Sequence, residues 1–140
     1  MDDSRIKSLI EDLNKYPVVF AYLFGSQAKG KFTTLSDIDI AVFIDEKIAK
    51  SERFDIRLRL ANDLSAMAGT RVDVIMMNDI PIQLAYEVIK HGKVILCKDR
   101  DTMINAEIEI LSKYLDRRYY DKRRAELSLR KIETEGMIPG

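Results

Sequence analysis

Apolar positions change period along the chain, and each change marks an element. From Asp3 to Lys15, Ile6, Leu9, Ile10 and Leu13 recur at helical spacing, and Pro17 stops the run. Val18 to Phe24 is unbroken apolar and rich in β-formers, which predicts a buried strand. Residues 37–44, Asp-Ile-Asp-Ile-Ala-Val-Phe-Ile, alternate acid and aliphatic and then run apolar, predicting a second strand. Helical spacing returns from Ser51 to Ala68. Ser51 is the expected cap, Phe54, Leu58, Ala61, Leu64 and Ala68 the buried stripe, and Gly69 the residue just past the end. Arg71 to Met77 alternates again, with Val72, Val74 and Met76 on one side and Asp73 and Ile75 on the other. Asp79 and Pro81 open a short helix with Leu84, Ala85, Val88 and Ile89 inward, ended by Gly92. Lys93 to Cys97 reads as a fourth strand. From Asp101 to about Glu133 the pattern is helical, with Ile104, Ile108, Leu111 and Leu115 on one face, and residues 135–140 are expected to fray.

This order predicts an α+β fold close to α/β: a mixed sheet of about four strands, helices mainly on one face, and a long C-terminal helix. At 140 residues the chain is expected to be a single domain, 1–140. Its 46% hydrophobic and 33% charged residues describe a folded core under a densely charged surface. The formal net charge is zero, so no global basic field draws in nucleic acid, and direct nucleic-acid binding is not expected. Cys97 lies in the apolar run Val94 to Cys97, which predicts a reduced core thiol. With no signal peptide or long apolar span visible, a cytoplasmic location and no membrane partner are expected.

Candidate chemistry is concentrated between residues 25 and 39. Gly25-Ser26 follows the first strand, and ten residues later come Asp37 and Asp39. Glycine permits the sharp turn, and Ser26 can cap the stretch after it. Backbone N–H groups at such a strand-to-helix turn converge and attract phosphate oxygens. Lys29 is a candidate phosphate contact beside this cradle. Asp37 and Asp39 share a strand face while Ile38, Ile40, Val42 and Ile44 point into a core. Two carboxylates on one face are costly unless a cation sits between them. Mg²⁺ together with triphosphate oxygens satisfies that demand, since Mg²⁺ takes one or two carboxylates plus substrate phosphates. Asp73 joins the same acidic face if its strand neighbours that of Asp39. Residues 25–31 also fit the front of a Walker A loop, but Phe32 stands where that loop needs Ser or Thr, and a nearby Asp-x-Asp has no role in it. His91 reads as a helix-end residue, and structural zinc is excluded by residue count.

Gly25-Ser26-Gln27-Ala28-Lys29-Gly30 and Ser36-Asp37-Ile38-Asp39 resemble the minimal nucleotidyltransferases, the antitoxin half of HEPN/MNT toxin–antitoxin pairs, within the DNA polymerase β-like superfamily. The resemblance covers about residues 16 to 97. Lys29 stands where the family usually has Arg, which keeps the charge and loses the bidentate fork. The resemblance implies an Mg²⁺-dependent enzyme with ATP as substrate. Asp37, Asp39 and Asp73 would be the metal-binding and catalytic residues, and Gly25, Ser26 and Lys29 the nucleotide contacts. It also implies an acceptor tyrosine on a HEPN-type ribonuclease toxin. Two other readings stay open: an antitoxin that only binds, and transfer to a small molecule.

So short a chain leaves its catalytic side open, to be completed by an acceptor or a second subunit. Arg117, Arg118, Lys122, Arg123 and Arg124 outnumber Asp116, Asp121 and Glu126, and Tyr114, Tyr119 and Tyr120 lie among them. This composition predicts that residues of about 103 to 130 dock, partly electrostatically, on a toxin, a second copy of the chain, or both.

Overall fold

The structure is a computed structural model that describes residues 3–25 and 38–134. Among the described residues four helices and four strands follow in the order α1 (Asp3–Leu13), β1 (Val18–Phe24), β2 (Ile38–Ile44), α2 (Lys50–Ala68), β3 (Val72–Met76), α3 (Ile82–His91), β4 (Lys93–Cys97) and α4 (Arg100–Thr134). The strands form one mixed sheet in the order β3-β2-β1-β4. β1 pairs antiparallel with β2 and with β4, whereas β2 and β3 run parallel, joined by α2.

The alternation in β2 and β3 partitions as the sequence implies. Ile38, Ile40, Val42 and Ile44 join Val72, Val74 and Met76 in a core with Leu9 and Leu13 of α1 and Leu60 and Leu64 of α2. The other face packs Phe20, Tyr22, Ala41 and Phe43 against Ala85 and Val88 of α3 and the first turns of α4. Helices therefore stand on both faces, which amends the expectation of helices mainly on one. α1 and α2 occupy the face away from the acids. α3 and α4 cover part of the acid face, because Phe20, Tyr22 and Phe43 are large apolar side chains that need a cover of their own.

Three local readings are corrected. α2 starts at Lys50 behind Ala49, which makes no side-chain cap bond, so Ser51 lies inside the first turn. Its buried stripe is Leu60, Leu64 and Ala68, with Ile56 packed alongside, while Phe54 and Leu58 are 54% and 44% exposed. Both stripes have helical spacing; the one facing the sheet wins because each fully buried Leu contributes about 1.5–3 kcal/mol. Cys97 is exposed, because β4 is an edge strand and Cys97 is its last residue. Gly69 takes the left-handed conformation past the end of α2 (φ 70°), its N–H donating to the Ser65 carbonyl. Gly92 ends α3 differently: its φ is −76°, and a Cβ there would run into the Val88 carbonyl.

α4 meets the domain only along its first half. Met103, Ala106 and Ile110 pack on the sheet, and Glu107 accepts a short hydrogen bond from the buried Tyr22 hydroxyl. Tyr114 stacks on Tyr86 of α3 with ring centroids 3.7 Å apart. From Leu115 to Lys131 every residue is exposed. Ile104, Ile108, Leu111 and Leu115 do share a face, but it is 37–59% exposed rather than core. No helix of the described residues is long and apolar enough to cross a membrane.

Candidate active site

Parallel pairing of β2 and β3 sets Asp39 directly beside Asp73. Neighbouring strands lie about 4.8 Å apart, so the two carboxylates project from adjacent strands on one face. On the other side of Asp39, β1 ends: Phe24 is its antiparallel partner and Gly25 follows. Gly25 has φ 79°, a conformation that L side chains rarely adopt, and a Cβ there would lie 2.5 Å from Asp39 Oδ2. Glycine is thus needed twice, for the turn and to leave room for the carboxylate. Asp37, Ser26 and Lys29 lie outside the described residues, as does the rest of 26–37.

The exposed Arg71 forks onto Asp73, Nε to Oδ1 at 3.1 Å and Nη2 to Oδ2 at 3.3 Å. Their side chains are 70% and 40% exposed, so the pair is weak and readily exchanged for another cation. A cavity of roughly 430 Å³ holds both acids and is bordered by Phe24, Arg57, Leu58 and Leu84. Arg57 lies over the exposed Phe54 ring, 5.3 Å from its centroid. A larger hollow, roughly 620 Å³, sits at the far end of the strands beside Val18, Asp45 and Thr102 and contains neither acid. Of these two cavities among the described residues, the smaller is the one with carboxylates paired across strands beside a glycine turn.

Arg57 and Arg71 escaped the sequence reading. Arg71 carried a signal, since it lies two residues before Asp73 and strand alternation puts both on one face. Arg57 carried none, because only the placement of α2 along β3 brings it to the cavity.

A carboxylate pair thus lies across two parallel strands, next to a glycine turn at the end of the adjoining strand. The chain belongs to the polymerase beta nucleotidyltransferase family, whose sequence profile matches residues 7–101. It is 27% identical over 114 residues to the protein adenylyltransferase MntA of Shewanella oneidensis, covering 81% of this chain and 78% of that one. It is 40% identical over 74 residues to MJ1379 of Methanocaldococcus jannaschii, provisionally named a protein adenylyltransferase, covering 53% and 70%. Among solved structures, a toxin–antitoxin with AMP-PNP superimposes with TM-score 0.69 at 24% identity, over 91% of this chain and 97% of the other. A complex of tri-AMPylated Shewanella oneidensis HEPN toxin with MNT antitoxin gives 0.68 at 22% over the same shares. At those identities the superpositions establish the fold.

Proposed function

We propose that this chain is a protein adenylyltransferase that moves AMP from ATP to a tyrosine hydroxyl of a HEPN-type toxin and acts as its antitoxin. The observation that carries the reading is the register of Asp39 against Asp73 beside Gly25, in a family that transfers nucleotides. The relatives named protein adenylyltransferase, and the AMPylated toxin in the superimposable complex, give it direction.

The donor set fits a metal. Two carboxylates side by side, one of them already gripped by a guanidinium, attract a cation to that spot. Asp39 and Asp73 would hold Mg²⁺ together with Asp37, two positions before Asp39 in the sequence. When bound, Mg²⁺ neutralises triphosphate charge and stabilises the attacking and leaving oxygens. Gly25 and Ser26 would seat the phosphates with backbone N–H groups, and Lys29 would add a positive charge. Asp73, one strand further than Asp39 from Gly25, would receive the proton of the acceptor hydroxyl. The hydroxyl oxygen then bonds to the α-phosphorus, the α–β bridging P–O bond breaks, and pyrophosphate leaves. Holding both reactants in line supplies much of the rate.

The test is transfer of labelled AMP to the protein encoded beside this one, with Mg·ATP binding measured in parallel by calorimetry. Asp37→Ala, Asp39→Asn and Asp73→Asn are each expected to abolish transfer while the fold is retained. Mg²⁺-dependent ATP binding falls with Asp39→Asn. Near-full transfer by any of the three removes the assignment. Neutralisation that survives the loss of transfer would instead select the purely binding antitoxin.

A further inference from the structure

We propose that the exposed seam of α4, from Ile104 to Leu129, is one side of a two-helix pair, and that its mate is an acidic helix on a different protein. The proposal is independent of the transfer reaction and holds whether or not that protein is the AMP acceptor.

The argument starts from spacing. Ile104, Ile108, Leu111 and Leu115 recur in steps of four, three and four, the stepping of a coiled-coil seam. The same steps continue through Arg118, Lys122, Ala125 and Leu129. At 3.6 residues per turn this line lies roughly a quarter turn around the helix from Met103, Ile110 and Tyr114, which face the domain. The seam is therefore not the core-facing stripe, and it is open: Ile108, Leu115 and Leu129 are 56%, 59% and 61% exposed. Beyond Tyr114 the helix runs on to Thr134, about 30 Å at 1.5 Å per residue, and residues 115–131 are all exposed. Most helical stability in proteins comes from packing an apolar face, so this length of helix gains from a partner.

The centre of the seam chooses the partner. Arg118 and Lys122 interrupt the apolar line, and among the described residues neither pairs with a carboxylate. The ion pairs nearby, Arg117 to Asp121 at 4.0 Å and Arg123 to Glu126 at 3.9 Å, use their neighbours. A second copy in parallel would set Arg118 against Arg118 and Lys122 against Lys122. An antiparallel copy centred on them brings the same cations together. Like charges facing each other across a seam are costly, and such positions set partner choice. An unlike helix with leucines at its ends and two acids at its centre meets every position.

The test titrates the full chain into a labelled helical peptide of about 28 residues, four heptads. The peptide carries leucine along its seam and glutamate at the two central seam positions; a control peptide carries lysine there. The glutamate peptide is expected to bind at least tenfold tighter at low salt, and more weakly as salt rises. Ile108→Asp with Leu115→Asp, both at exposed sites, should abolish binding without unfolding the domain. Arg118→Glu with Lys122→Glu should swap the preference to the lysine peptide. Four results overturn the proposal. One is equal affinity for both peptides, or for neither. Another is no swap on charge reversal. A third is sedimentation as a dimer that Ile108→Asp with Leu115→Asp dissolves, which assigns the seam to a second copy. The last is displacement of the peptide by single-stranded RNA at lower concentration, which assigns the surface to nucleic acid.

Discussion

Replacing Gly25 by alanine should separate the two reasons for a glycine there, and Gly69 provides a matched control. Both glycines have left-handed backbones, φ 79° and 70°. Alanine at either position costs about 1–2 kcal/mol from backbone strain alone. Around Gly69 nothing lies within 4 Å of an added Cβ, so the penalty stops there. At Gly25 the Cβ would sit 2.5 Å from Asp39 Oδ2, where ordinary contact begins at 3.4 Å, so the carboxylate must retreat by about 0.9 Å. Metal ligands tolerate roughly 0.2 Å. Disturbing even the outer partners of a metal ligand lowers affinity about 10–100-fold. Urea unfolding should thus show a loss for both variants, at least as large for Gly25→Ala as for Gly69→Ala. Calorimetry should show Mg²⁺-dependent ATP binding weakened at least tenfold in Gly25→Ala and unchanged in Gly69→Ala. A double-mutant cycle sharpens the point: with Asp39→Ala already present, Gly25→Ala should lose no further affinity through the carboxylate. Wild-type Mg·ATP affinity in Gly25→Ala would falsify the claim that Asp39 binds the metal from this position.

Arg71→Ala frees Asp73 of an exposed competitor worth about 0.2–1 kcal/mol, so Mn²⁺ binding followed by its paramagnetic signal should tighten by up to about fivefold; weaker binding would make Arg71 part of the site rather than a stand-in. Arg53 binds Asp79 in a fork at 2.9 and 2.6 Å, tying α2 to the turn before α3, and holds the Asp79 carboxyl below its ordinary range. The pair therefore stabilises the fold above the usual carboxylate pKa of about 4 and is lost as pH falls through the lower folded value. Arg53→Ala should cost about 1–2 kcal/mol at pH 7 by urea unfolding, with the gap to wild type closing below about pH 4; a gap independent of pH assigns the loss to packing instead. Tyr22 is buried, and burial together with its bond to Glu107 pushes its phenol far up, so it remains a donor at any working pH. Tyr22→Phe should destabilise by about 1–2 kcal/mol, and Glu107→Gln should add little on top of it; full additivity would show that the bond contributes nothing.

Strand alternation set Asp39 and Asp73 each opposite the core residues of its own strand and left their meeting conditional on the strands being neighbours, a condition the parallel register meets. Gly25 was legible as a turn, but its second role, clearance for Asp39, exists only in three dimensions. The faces of α2 were not legible, because Phe54-Leu58-Ala61 and Ile56-Leu60-Leu64 are equally helical and only the sheet decides between them. Cys97 misled for a related reason: an apolar run gives a strand but not whether that strand is an edge. The length of α4 was legible and so was the shared apolar face, but not whether that face lies in the core, since the exposed seam has the periodicity of a core stripe.

The parallel step from β2 to β3 also governs when the site comes into being. β1 and β2 form an antiparallel hairpin, whereas β3 can dock on β2 only after the nineteen residues of α2 have folded and crossed the sheet. A chain emerging from the ribosome thus holds the glycine turn and Asp39 early and Asp73 late. Until the crossover closes, Asp39 lacks its Asp73 neighbour and the site is incomplete. An N-terminal fragment ending before Val72 should fail to transfer nucleotide. Partial unfolding that peels β3 from the sheet should switch the site off while leaving the hairpin in place, so occupancy of the site by Mg·ATP would act as a clasp on the crossover and protect its amides from exchange.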